Sequence, residues 1–153
     1  MRALLQRVSR AEVRIGDEIV GSIGPGLLVF VGVGLEDDAA TAEALGRRVA
    51  ELRIFADDDG RTNLSLVDVG GAALVVSQFT LLADTRRGRR PGFTEAAPPS
   101  VAIPLYERFC LAVEAAGVPV ARGRFGAEMA VELVNDGPFT IWLDTDEAAK
   151  TGG

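Results

Sequence analysis

The chain of 153 residues has no histidine, one cysteine, one lysine and no long apolar run. Without histidine, Ser-His-Asp and Cys-His nucleophile pairs are excluded, and so is every metal site built on imidazole. Cys110, standing alone, excludes disulfides, CxxC redox pairs and zinc ribbons. Lys150 is the single lysine and stands near the C-terminus, so neither a phosphate-cradling GxxxxGK[ST] loop nor a Schiff-base lysine in the core exists. Acid–base chemistry therefore falls to carboxylates, hydroxyls, backbone groups or the substrate itself. The longest apolar stretch, Leu27 to Val33, is far too short to cross a bilayer as a helix. The first residues enter a strand-like pattern with no hydrophobic leader, which sets the expectation of a cytoplasmic protein without a membrane partner.

Apolar residues make up 48% of the chain and charged residues 25%, a globular composition rather than a disordered one. No repeat or linker divides the chain. Residues 1–145 are expected to form one domain, and 146–153, small and polar, a flexible C-terminal tail. The net charge is −6, and all but one of the 16 cationic residues are arginines. Overall acidity argues against indiscriminate nucleic-acid binding, and DNA is not expected as a partner. The charge is uneven, however: between Asp84 and Glu95 four arginines face two acids, a local +2. A basic loop on an acidic body still suits a phosphate backbone, which makes Arg86, Arg87, Arg89 and Arg90 candidate phosphate contacts.

Alternation predicts strands over Ala3–Val8, Ala11–Ile15 and Ile19–Ile23, the last two joined by the turn Gly16-Asp17-Glu18. After Gly24-Pro25-Gly26, Leu27–Val31 is apolar on both faces and reads as a central buried strand. Leu45, Val49 and Leu52 recur at helical intervals, predicting a helix from about Ala39 to Arg53 capped by Asp37 or Asp38. Asp57-Asp58-Asp59-Gly60 places its acids side by side rather than alternately, so it reads as an Asp-Gly turn and not as a calcium loop; no metal is expected. Ala72–Val76 is a second apolar strand. A long aperiodic stretch from Asp84 to Ser100 follows, then a helix starting at Pro98-Pro99-Ser100 and capped by Gly117. Strands over Val118–Arg122, Met129–Val134 and Phe139–Leu143 complete an α/β chain: two main helices around a curled, barrel-like mixed sheet.

Two segments bear on chemistry. Ser77-Gln78-Phe79-Thr80 is a polar cluster at the end of an apolar strand. It reads either as a strand leaving the core or as a site, because strand ends hold hydroxyls and free N–H groups rigidly where an oxyanion can develop. Asn135-Asp136-Gly137-Pro138 reads as a turn between two strands, and a Gly-Pro bond is one of the few that adopt the cis form. Gly32-Val33-Gly34 lacks the third glycine of a dinucleotide loop and is set aside. Glu128 reads as an exposed strand-end carboxylate rather than a general base.

From its first residues to about Leu143 the sequence resembles the D-aminoacyl-tRNA deacylases of the bacterial and eukaryotic type. The resemblance rests on Gln6-Arg7-Val8, Gly24-Pro25-Gly26-Leu27-Leu28-Val29, Leu52-Arg53-Ile54-Phe55, Ser77-Gln78-Phe79-Thr80 and Ala83-Asp84-Thr85 with the arginine loop. Gly123-Arg124-Phe125-Gly126-Ala127 and Asn135-Asp136-Gly137-Pro138 followed by Thr140 continue it. The pair of motifs SQxT and NxGPxT at this separation is highly specific.

The resemblance implies a homodimer that hydrolyses the ester of D-aminoacyl-tRNAs, with tRNA as partner and no cofactor. Ser77, Gln78, Phe79 and Thr80 are implied to line the catalytic pocket. Gly137 and Pro138, joined by a cis bond, are implied to reach in from the other subunit, with Asn135 and Thr140 supporting them. Their carbonyls capture the α-amino group and leave no room for an L side chain. Catalysis is implied to rest on the 2′-hydroxyl of the terminal adenosine, with the Phe79 and Thr80 N–H groups polarising the ester. Glycine, having no side chain to exclude, is implied to be removed as well, clearing mischarged tRNA for alanine.

The chain departs from the family at Thr62, where methionine is usual, at Gly92, where serine is common, and at Phe139, in place of a common valine. An editing domain of the archaeal threonyl-tRNA synthetase kind, or a non-catalytic RNA-binding module using the arginine loop alone, stands as the alternative.

Overall fold

A computed structural model describes residues 1–151. β1 (Arg2–Ile15) is the hub: β8 (Ala130–Asp144) lies along one edge, and β3 (Gly26–Gly32) followed by β2 (Glu18–Ile23) lies along the other. β6 (Ala72–Ser77) adds parallel to β3, and β7 (Val120–Arg122) adds parallel to β6. β2 folds over against β6 and β7, so the mixed sheet curls toward a barrel. A small hairpin, β4 (Phe55–Ala56) with β5 (Thr62–Leu64), stands apart from it and turns at Asp57–Gly60, as expected.

α1 (Ala39–Glu51) starts on Asp38, whose carboxylate accepts from the Thr41 N–H at 2.8 Å. Those bonds hold the Asp38 carboxyl below its usual value. α2 (Leu66–Val69) is a short turn with a Ser65/Asp68 capping box. α3 (Pro99–Ala115) begins with proline in its first turn, where the missing N–H is harmless. α4 (Thr145–Thr151) occupies most of the segment expected to be a tail, while residues 152 and 153 lie outside the described residues. Among the described residues no helix is long and apolar enough to cross a membrane.

Alternation divides the interior in two. Ala3, Leu5, Leu27, Val29, Val31, Ala73 and Val75 face α1 and α3 and form the larger core with Leu45, Val49, Phe109 and Val113. Leu28, Leu74 and Val76, on the other face, pack with Val8, Ala11 and Val13 inside the curl. The central apolar strands are therefore buried on both faces, as their sequence implies.

The predicted strands Ala3–Val8 and Ala11–Ile15 prove to be one strand. The register of β1 against β8 slips between Val8 and Arg10, so the inward-facing positions change from even to odd numbers. A bulge flips the face while the chain stays extended, and a period-2 reading mistakes that for a strand end. The predicted Met129–Val134 and Phe139–Leu143 are likewise the two ends of β8.

α1 and α3 touch at Gly46. A Cβ there would sit 2.7 Å from the Phe109 carbonyl oxygen and 2.8 Å from Ala112 Cβ. Gly46→Ala is therefore expected to lower the unfolding free energy by about 1–2 kcal/mol, the overpacking cost exceeding the gain in helix propensity. Denaturant unfolding of the two proteins checks this, and an equal or higher midpoint in the variant contradicts it.

Candidate active site

β6 ends at Ser77, where the Gln78 N–H still donates to the Val31 carbonyl at 2.8 Å and prolongs the parallel ladder. The chain then tightens into a 3-10 turn over Phe79–Leu82. A turn that follows a strand leaves its first amides without carbonyls to bond. Neither the Phe79 nor the Thr80 N–H donates to any acceptor among the described residues. Ser77 and Gln78 are half-buried, Phe79 and Thr80 exposed. The Gln78 side-chain amide donates to the Thr80 hydroxyl.

These residues form one side of a cavity of about 610 Å³. Its other walls are Phe93, Ala97 and Ala102, before and on α3, and Phe125, Met129 and Val131, leading into β8. Phe79 and Phe93 meet edge to face at the rim, their ring centres 5.1 Å apart. The cavity therefore combines free backbone donors and hydroxyls with apolar, partly aromatic walls. Ser77, Gln78 and Phe79 are brought together in it, and Thr80 joins through its bond to Gln78.

Gly137 and Pro138 do not line this cavity. They belong to β8, across β1 and β3 from β6. Against β1 the β8 ladder jumps from Thr140, paired with Gln6, to Asn135, paired with Val8, so Asp136–Phe139 loops out opposite Arg7 alone. This exposed prong stands where a plain turn between two strands was one expectation, and its Gly137-Pro138 bond is cis. The Asn135 side-chain amide clamps its base, donating to the Arg7 carbonyl at 2.9 Å and the Phe139 carbonyl at 3.2 Å. Thr140 accepts from the Gln6 amide at 3.1 Å.

Arg7 is the residue that reading the sequence left without a role. Its guanidinium donates to the Asp136 carbonyl at 3.1 Å and the Ile54 carbonyl at 2.7 Å, and pairs with the Asp136 carboxylate. It also lies 4.3 Å from the Phe139 ring centre. Phe139 thus gives the guanidinium a face to stack on. Its signal in the sequence was the place of Arg7 in Gln6-Arg7-Val8, one of the segments that carry the resemblance.

The arginine loop closes at its foot through two backbone bonds between Asp84 and Gly92, of 2.7 and 2.9 Å. Arg86, though exposed, is tied back to its own loop by a two-pronged contact to the Asp84 carboxylate at 2.8 Å. That contact holds the Asp84 carboxyl far below its usual range. Arg87, Arg89 and Arg90 are exposed and have no bonding partner among the described residues.

Cys110 is buried against α3's neighbours, and burial pushes its thiol up to about 11, so it stays protonated and inert at neutral pH. Asp57 spends its carboxylate on the Asp59 and Arg61 amides and the Asn63 side chain, holding its own turn. Among the described residues no group of three potential ligands is placed to hold a metal ion.

At a strand end of the curled α/β sheet the chain thus presents a cavity with free backbone donors at its edge and no ionisable side chain among its lining residues. A family model described as D-Tyr-tRNA(Tyr) deacylase matches residues 4–144. A D-aminoacyl-tRNA deacylase of Roseiflexus sp. (strain RS-1) is 60% identical, covering 95% of this chain and 94% of its own. Another from Thermomicrobium roseum is 61% identical, over 96% of both. Among solved structures, one described as a c-Myc DNA unwinding element binding protein superposes with a TM-score of 0.87 at 37% identity, over 94% of this chain and 98% of that one. A probable eukaryotic D-amino acid tRNA deacylase gives 0.80 at 21% identity, over 93% and 97%, and shares the fold. The chain belongs to the D-Tyr-tRNA(Tyr) deacylase family.

Proposed function

We propose that the protein is a D-aminoacyl-tRNA deacylase: it hydrolyses the ester between a D-amino acid, or glycine on tRNA for alanine, and the terminal ribose of cytoplasmic tRNA. The observation that carries this reading is the separation of two half-sites. The Ser77–Thr80 pocket has donors and an aromatic rim but nothing to read chirality. The Asp136–Phe139 prong is clamped at its base and projects from the β1–β8 ladder, but it lines no part of that cavity. A homodimer in which each prong enters the partner's pocket completes both.

In that arrangement the terminal adenine lies against the aromatic walls, and the Phe79 and Thr80 N–H groups polarise the ester carbonyl. The adjacent 2′-hydroxyl of the ribose supplies the proton handling that no protein side chain offers. An aminoacyl ester is already labile, so orientation and charge stabilisation suffice. The Gly137 and Pro138 carbonyls hold the α-amino group, and an L side chain collides with them, whereas a D side chain points outward. Exclusion of this kind tolerates many D side chains and cannot reject glycine.

Thr80 is not the nucleophile in this scheme. Among the described residues its hydroxyl is engaged only by the Gln78 amide, and no base adjoins it. Thr80→Ala is expected to retain at least about a tenth of wild-type kcat, since the hydrogen bond it removes is a neutral one. Complete loss in a folded protein would overturn that assignment. The function itself is tested by incubating the protein with D-tyrosyl-tRNA and, separately, L-tyrosyl-tRNA. Release of the D-amino acid alone is expected. Release of both removes the proposed exclusion, and release of neither removes the activity.

A further inference from the structure

The arginine loop carries an inference that rests on the deacylase reading and goes beyond it. Of its four guanidiniums, Arg86 is already spent. It bonds Asp84 through two nitrogens at 2.8 Å and lies 3.6 Å from Glu95, neutralising acids at the foot of the loop. Its backbone N–H also donates to Asp84 at 3.0 Å, so side chain and main chain fold the loop onto the same carboxylate. With the Asp84–Gly92 bonds below and Gly88 turning at φ +68° above, the loop has a fixed base and a tight tip.

That construction turns Arg87, Arg89 and Arg90 outward with no acid to quench them. Three exposed arginines without acidic partners make a local positive patch on a chain of net charge −6, the kind of patch that attracts a polyanion. Their place supplies the occupant. The loop's descending arm runs from Gly92 into Phe93, which stands at the cavity rim against Phe79. A nucleoside seated in the cavity with its 5′ side toward that rim would present its 5′-phosphate and those of the preceding nucleotides to the loop.

We infer that Arg87, Arg89 and Arg90 bind the phosphates of the single-stranded 3′ end of tRNA just before the esterified nucleoside, while Arg86 serves only to hold the loop. The contact is to backbone and carries no base specificity, which suits an enzyme that must accept tRNAs of many sequences. Each phosphate neutralised on a single strand releases about 0.7 of a counterion, so three contacts steepen the salt dependence of binding by about 2 in log–log slope.

The test is binding of fluorescently labelled uncharged tRNA across 50–200 mM salt. The proteins are wild type, the triple variant R87Q/R89Q/R90Q, and the charge-matched R47Q/R48Q/R108Q, which alters the same number of arginines on α1 and α3. Because the three loop side chains are exposed and unpaired, the triple variant is expected to fold as wild type does. Over that range wild-type affinity is expected to fall about 20-fold further than that of the loop variant. The charge-matched variant is expected to keep the wild-type slope. Wild type on a tRNA trimmed of its single-stranded 3′ end is expected to show the shallow slope. Equal slopes for wild type and loop variant overturn the inference. So does a charge-matched variant as shallow as the loop variant, or a full slope on the trimmed tRNA. The expected pattern together with inert D-tyrosyl-tRNA supports the phosphate contacts while refuting the deacylase reading.

Discussion

Gly137→Ala is expected to leave the protein folded and as stable as wild type while lowering kcat/KM on D-tyrosyl-tRNA about 100-fold, the scale of a misplacement of about 1 Å at a reacting centre. Within its own chain the substitution has room: a Cβ on Gly137 meets only the Asn135 carboxamide oxygen, at 3.5 Å, and the backbone there is not in the left-handed region. In the proposed dimer the same methyl points into the space where the substrate's Cα and amino group must sit. A thermal melt and steady-state kinetics on one preparation separate the two effects. Full activity removes Gly137 from the site, and a large fall in melting temperature makes the loss structural.

The second expectation concerns the pocket side. Phe79 begins the 3-10 turn, where φ lies near the value a proline ring imposes, and the preceding Gln78, at φ −144° and ψ 84°, is outside the helical region that a following proline disfavours. Phe79→Pro removes the N–H and the ring; Phe79→Ala removes the ring alone. The proline variant is expected to be about 100- to 1000-fold slower in kcat than the alanine variant, the usual cost of one oxyanion donor. Equal rates in the two would show that the Phe79 amide does not contact the developing charge.

The two variants also test the sharing of the site. A Gly137→Ala chain keeps an intact pocket, and a Phe79→Pro chain keeps an intact prong. Random exchange of subunits makes half of the dimers mixed, each with one complete site. Mixing two nearly inactive preparations is then expected to recover about a quarter of wild-type activity. No recovery, with exchange confirmed, places both half-sites in one chain.

Much of the architecture was legible beforehand because it depends on local periodicity. The helical stripe of Leu45 and Val49 and the apolar runs at Leu27–Val31 and Ala72–Val76 declare their elements and their burial. Proline at the start of α3 and Gly117 beyond its end, at φ +98°, mark its limits. The β4–β5 hairpin and α2 escaped notice, being only two to four residues each and too short to show a period. β1 was divided in two because a bulge changes which face a residue occupies without ending the strand, and β8 because Asn135-Asp136-Gly137-Pro138 carries turn residues where the strand only loops out and resumes.

By itself the sequence determined what chemistry is available. The absence of histidine, of a usable lysine and of a second cysteine leaves carboxylates, hydroxyls, backbone groups and the substrate for acid–base work. It also determined the two motifs, Ser77–Thr80 and Asn135–Thr140, that carry the family resemblance. Only the tertiary structure decided that these motifs stand apart in one chain, on β6 and β8 with β1 and β3 between them. It alone decided that Arg7 grips the prong and that Arg86 is spent inside its own loop. The reason is physical: residue type sets what a group can donate, accept or stack against. Which groups meet is set by strand order and register, and pairings such as Gly26 with Ala72 or Arg2 with Asp144, far apart along the chain, leave no periodic trace in the sequence around them.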